Sequence, residues 1–165
     1  AALFDSVYVS LYKILNGISG AMLAGPADFV EESRIWQRRH GGNLPGMYPY
    51  VLAGKMGLEK YLHCVPDYVA KAQEICAGLA TIPGIVIVPN PPQPNMAHVQ
   101  LKGEKEALLE AAKIVGQEMN IRLFGWLRDG LIPSHWAYEM TIGEAGLDIP
   151  TEEIVEAFRR VMAQA

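Results

Sequence analysis

Residues 6–23, SVYVSLYKILNGISGAML, decide how this chain is read. Val7, Val9 and Leu11 alternate with Ser6, Tyr8, Ser10 and Tyr12, the period of two that marks a strand. One lysine, Lys13, closes the run. A loop of small residues follows, with Asn16, Gly17, Ser19 and Gly20, and then a second apolar run, Ala21 to Ala24. A lysine at the end of a buried-looking strand, facing a glycine-rich loop, has two readings. The plain one is a solvated lysine at a strand end, and an isolated strand would ask for nothing more. Three features argue for the other. The strand pattern is that of a buried strand, small residues let backbone approach a ligand closely, and ligands in α/β folds sit at the carboxyl ends of strands. A lysine placed there can be desolvated, which leaves a neutral amine able to attack a carbonyl.

Working outward, the 165 residues are 50% hydrophobic and 19% charged, enough for a core of good size. The net charge of −4 comes without a basic stripe, which argues against nucleic acid as a partner. No apolar run reaches the ~18 residues of a membrane span. Ala1 to Asp5 has neither the basic flank nor the cleavage pattern of a signal peptide. Cys64 and Cys76 lack metal-ligand spacing and, on helical turns, lie too far apart to bridge, so they read as reduced thiols of a cytoplasmic protein. The chain has no initiator methionine and enters a strand at once. It is expected to be the C-terminal piece of a longer polypeptide, completed by an N-terminal portion or a companion chain.

Downstream, Pro26 and Asp28 open a helix that carries Arg34, Arg38, Arg39 and His40 at its end, the order that complements the helix dipole. Gly41 and Gly42 stop it. NLPGMYPY (43–50) reads as a loop. Helical spacing then runs from Val51 to Leu79, with a jog expected at Pro66. IPGIVIV holds a short strand and NMAHVQL a second one. GEKEALLEAAKIVGQEM is an amphipathic helix, IRLF a short strand and HWAYEMTIG a strand. IPTEEIVEAFRRVMAQA is a closing helix with Thr151 as its cap. Trp126, Trp136 and Tyr12 are expected to pack, Tyr12 because a persisting strand would turn it to the face opposite Lys13. His63, His98 and His135 share no metal spacing, so no metal is expected.

The division that follows is 1–50 as the end of a large α/β domain, 51–79 as a connecting helix and 80–165 as a small α+β domain with an antiparallel sheet. FDSVYVSLYK followed by GISGAMLAGPADFVEESRIWQRRHGG resembles the threonine aldolase and β-eliminating lyase family, fold-type I pyridoxal-phosphate enzymes. The match rests on Asp5-Ser6-Val7, Ser10, Lys13, Gly20-Ala21-Met22-Leu23, Gly25 and Asp28-Phe29, and later on PNMAHVQL. The resemblance implies the C-terminal part of such an enzyme, with Lys13 as the Schiff-base lysine that binds pyridoxal 5'-phosphate. It also implies cleavage of a β-hydroxy-α-amino acid to glycine and an aldehyde, and a homo-oligomer. Alternatives are β-elimination by the same cofactor, and a non-catalytic binding or assembly relative that keeps the fold. The chain departs from the family where carboxylate-binding arginines are expected. Gly41-Gly42-Asn43-Leu44-Pro45 holds none, and Tyr138 or Glu139 stands at the second position.

Overall fold

The computed structural model describes residues 3–165. The chain divides into two compact units, one ending at Val65 and one running from Pro66 to Ala165.

In the first unit, β1 (Val7–Ser10) and β2 (Ala21–Ala24) pair antiparallel, with Val7 opposite Ala24 and Ser10 opposite Ala21. The alternation therefore marks the strand correctly but not its burial, because Tyr8, Val9, Met22 and Leu23 are exposed. Two strands give each other one neighbour edge, and the period alone cannot say whether a further layer covers their faces. Helix α1 (Ala27–Arg39) follows Pro26, with Asp28 in its first turn and Arg38 and Arg39 in its last. Arg39 lies 5.0 Å from the Trp36 ring centroid, and His40, the C-cap, stacks on that ring at 5.7 Å. Helix α2 (Tyr48–Tyr61) begins inside the expected loop, because Pro49 suits a first helical turn. A 3₁₀ turn at Leu62–Cys64 then interrupts the helical run. The cause is Pro66, whose ring clashes with the carbonyl four residues back, that of Leu62, and which cannot donate to it.

The second unit begins on helix α3 (Val65–Leu79). An antiparallel sheet follows, ordered β3 (Ile85–Val88), β4 (Met96–Lys102), β6 (His135–Thr141), β5 (Arg128–Asp129). Helices α4 (Lys105–Met119) and α6 (Thr151–Gln164) join α3 around one core, and a short α5 (Glu144–Leu147) precedes α6. Ile85 and Ile87, Ala97, Val99 and Leu101, and Tyr138 and Met140 alternate into that core. They meet Ile75 and Leu79 of α3, Leu108 and Val115 of α4 and Phe158 and Val161 of α6. Arg160 of α6 pairs with Glu118 of α4.

Three local expectations are corrected here. Ile121–Phe124 is not a strand. Asn120 takes a left-handed conformation (φ 53°) that ends α4 and turns Ile121 into the interior, and the edge strand forms later, at Arg128–Asp129. Thr151 does not cap α6. Pro150 holds the cap position, and the Thr151 hydroxyl is buried without a hydrogen-bond partner. Trp126 is 59% exposed, whereas Trp136 does pack, donating its indole N–H to the Gly103 carbonyl at 3.1 Å.

Candidate functional site

Strand β1 stops at Ser10, and Lys13 sits on a closed loop immediately beyond it. The Leu11 amide donates to the Gly20 carbonyl at 3.0 Å, the Gly17 amide to the Leu11 carbonyl at 2.8 Å and the Asn16 amide to the Lys13 carbonyl at 2.9 Å. These bonds require unusual backbone. Asn16 has φ 53°, a conformation that asparagine tolerates better than most residues. A Cβ at Gly17 would stand 2.6 Å from the Leu11 carbonyl oxygen, so only glycine closes the loop this tightly.

Helix α2 holds the loop from below. Leu11 and Leu15 are buried, and they meet Gly54 and Gly57, one turn apart on α2 and the helix's only buried residues. A Cβ at Gly54 would lie 2.8 Å from Leu11 Cδ1, and one at Gly57 would overlap the Leu15 carbonyl oxygen. Glycine spacing of three or four on one helix face lets backbone approach backbone. Gly54 and Gly57 escape the sequence reading, although two glycines three apart within a helical stretch are a signal for a close docking face. It is what fixes the loop, and Lys13 with it.

Lys13 itself is exposed. Tyr8 and Ser10 share one face of β1, and their hydroxyls lie 2.6 Å apart. Tyr12 does not turn to the opposite face, because the strand ends before it. It is 47% exposed. Hydrogen bonding from Ser10 first, and then from Tyr12, holds the Tyr8 phenol below its usual range; desolvation opposes them, and the charge of Lys13 adds the smallest contribution.

Matches with solved structures cover nearly the whole chain. A structure from Listeria monocytogenes, provisionally described as an L-allo-threonine aldolase, is 34% identical with a TM-score of 0.89, over 99% of this chain and 45% of that one. One from Exiguobacterium, provisionally described as an aromatic amino acid β-eliminating lyase/threonine aldolase, is 31% identical with a TM-score of 0.88, over 99% and 46%. The chain has the fold of the C-terminal portion of the threonine aldolase and β-eliminating lyase family. It spans less than half the length of the two structures. A methionine gamma lyase from Micromonospora echinospora, 19% identical with a TM-score of 0.63 over 98% of this chain and 49% of that one, shares the fold alone. A scan of family models and a search of curated proteins match nothing.

Tyr138 and Glu139, the two residues at which the resemblance implies a carboxylate-binding arginine, lie on β6. Tyr138 belongs to the core, its ring 5.2 Å from Phe124 and 6.0 Å from Phe158. Burial, and after it the neighbouring Cys76, push its phenol far up. Glu139 faces the other side, where its carboxylate lies 3.6 Å from His98 Nε2 on β4. Arg128 of β5 pairs with Ala137, two residues from Glu139, and so shares that face. Glu139 thus meets His98 across the sheet on that face. An apolar cleft of about 490 Å³ lines the edge of β6 with Phe124, Trp126, Ile149 and Phe158. Lys13 is no part of it.

Proposed function

We propose that this chain is the C-terminal part of a pyridoxal-phosphate-dependent lyase resembling threonine aldolase, acting on a β-hydroxy-α-amino acid to give glycine and an aldehyde. Lys13 is its cofactor-attaching residue. The observation that carries the reading is the placement of Lys13. An exposed amine ends β1 on a loop closed by Gly17 and seated on Gly54 and Gly57. A cofactor aldehyde needs an amine of this kind, accessible and free of a carboxylate partner. Among the described residues no carboxylate pairs with Lys13. Lys13 is exposed and a Cβ at Gly20 would meet nothing within 4 Å, so the loop does not crowd the amine, and the residues present fit the aldehyde end of the group. Bound there, pyridoxal phosphate would withdraw electrons from the substrate Cα and so permit cleavage of the Cα–Cβ bond.

The chain's own residues then have definable tasks. Lys13 supplies the amine, the Leu11–Gly17 turn orients it and α2 keeps it from shifting. Residues 1–50 serve as the end of a large cofactor-binding domain, 51–79 as the connecting segment and 80–165 as the small domain. An N-terminal portion or companion chain completes the cytoplasmic enzyme, a homo-oligomer. The Glu139–His98 pair supports a second reading. A carboxylate is not clamped by glutamate, so either another arginine takes that role, or the reading shifts to a different substrate, to β-elimination by the same cofactor or to a non-catalytic relative that keeps the fold. The test is the full-length protein carrying Lys13→Ala. Visible cofactor absorbance and aldehyde release should both be lost. Absorbance and turnover equal to wild type would overturn the proposal.

A further inference from the structure

We propose that the outer face of α2 is where a second copy of this chain docks, the two helices lying antiparallel about a two-fold axis at the level of Gly57. The inference rests on the homo-oligomer reading given above and names the surface that joins the copies. Helix α2 has two faces of different character. One carries Gly54 and Gly57 and is occupied by Leu11 and Leu15. The opposite one carries Tyr48, Leu52, Lys55, Glu59 and, where helical backbone runs on past Tyr61, Leu62. All five are exposed. Their spacing of four, three, four and three residues is that of a seam between two helices. Val51 and Met56 flank the seam and are exposed as well. A surface helix ordinarily turns a polar face to water, whereas this one turns out an apolar stripe with a single ion pair at its middle.

The order of residues along the seam selects the partner and its direction. Leu52 and Leu62 lie on either side of one cation and one anion, Lys55 and Glu59, whose side chains are 69% and 66% exposed and 3.7 Å apart. A parallel copy would set Lys55 against Lys55 and Glu59 against Glu59. An antiparallel copy slid by one layer would set Leu52 against Lys55 and Tyr48 against Glu59. Centred on residue 57, the antiparallel pair puts Leu52 opposite Leu62 and Lys55 opposite Glu59, and the two-fold repeats both contacts. The four charges then alternate in sign at the middle, and leucine closes both ends. A segment of any other sequence would need no such mirrored order, whereas a second copy requires it. Charges arranged in this way fix partner and register more than they add affinity, and the flanking Val51 and Met56 supply apolar contact.

Sedimentation equilibrium of the full-length protein tests the pairing. Lys55→Glu and Glu59→Lys each set like charges against each other twice across the axis, and each alone should weaken association by at least about tenfold. Mixed in equal amounts, the two variants should associate again, because every charge contact across the axis is then between opposite signs. Each variant keeps a like-charge pair along its own helix in the mixture, so recovery there reports the contact between copies. A second measurement uses Leu52→Cys/Leu62→Cys. Its oxidation should give a linked dimer whose disulfide, mapped by mass spectrometry, joins position 52 to position 62. Within one helix those positions are about 15 Å apart, too far to bridge. Single reversals that associate like wild type, a mixture no tighter than its components, or oxidation without the 52–62 link would each overturn the proposal. Reversals that lower the urea midpoint with association unchanged would place an N-terminal portion of the same chain on this face, and the proposal would fail. A wild-type oligomer indifferent to these changes leaves the homo-oligomer reading standing on another surface, whereas a wild-type monomer at micromolar concentration would end both.

Discussion

Replacing Gly57 by alanine adds one methyl group at the contact that seats the lysine loop. That methyl would lie 3.0 Å from the Leu15 carbonyl carbon and 3.3 Å from its Cβ, and inside the contact radius of the carbonyl oxygen. The obstacle is backbone, so no side-chain rotation relieves it, and the loop has to retreat by more than about 1 Å to restore ordinary contact distances. Two energies oppose each other. Alanine favours the helix by about 1 kcal/mol over glycine, whereas overpacking of this kind costs about 1–3 kcal/mol. The net effect is a destabilisation of roughly 0–2 kcal/mol, small enough for the protein to fold. Its effect on chemistry should be larger, because a misplacement of about 1 Å can cost about 100-fold in rate. Gly54→Ala is the control, since its methyl meets the Cδ1 end of Leu11, which can rotate away. The assay is kcat of the full-length variants together with urea denaturation. A Gly57→Ala protein that is stabilised and fully active would refute the claim that α2 positions Lys13, as would a Gly54→Ala protein more damaged than Gly57→Ala.

The isolated 165-residue chain should show no aldol cleavage, because its exposed strand faces and helix α1 await further structure. Activity of the chain without a companion polypeptide would contradict this. Tyr48 is 71% exposed at the start of α2, and the full-length protein is expected to be a homo-oligomer that uses this helix start. Tyr48→Ala should promote dissociation in sedimentation experiments, whereas unchanged association would remove the start of α2 from the interface. Burial pushes the Cys76 thiol up to about 11 from 9.0. The unfolded chain loses this proton first, so the stabilisation is complete below pH 9 and lost as pH rises towards 11. Tyr138 acts in the same direction. Urea midpoints should fall over that range, and a flat profile would argue against the buried Cys76 environment.

The element order was largely legible because periodicity is a local signal. Strand β4 and helices α1, α4 and α6 fall close to where alternation and 3.6-residue spacing place them. Lys13 stood out for a similar local reason, a lone charge between an alternating run and a glycine-rich loop. What escaped depends on tertiary packing. The burial of β1 depends on neighbouring layers rather than on its own pattern. Tyr12 was misplaced because the strand ends at Ser10, which depends on the Gly17–Leu11 hydrogen bond. The edge strand at Arg128–Asp129 is only two residues long and has no period to read. Tyr138 and Glu139 were indistinguishable as neighbours in sequence. The pleat separates them, sending one to the aromatic core and the other to His98.

The most direct test of the central claim is to reduce the full-length holoenzyme with borohydride, digest it and map the modified peptide. The account predicts the cofactor fixed on Lys13, within the peptide that follows β1. Label on Lys55, Lys60 or Lys71, with Lys13 unmodified, would contradict it.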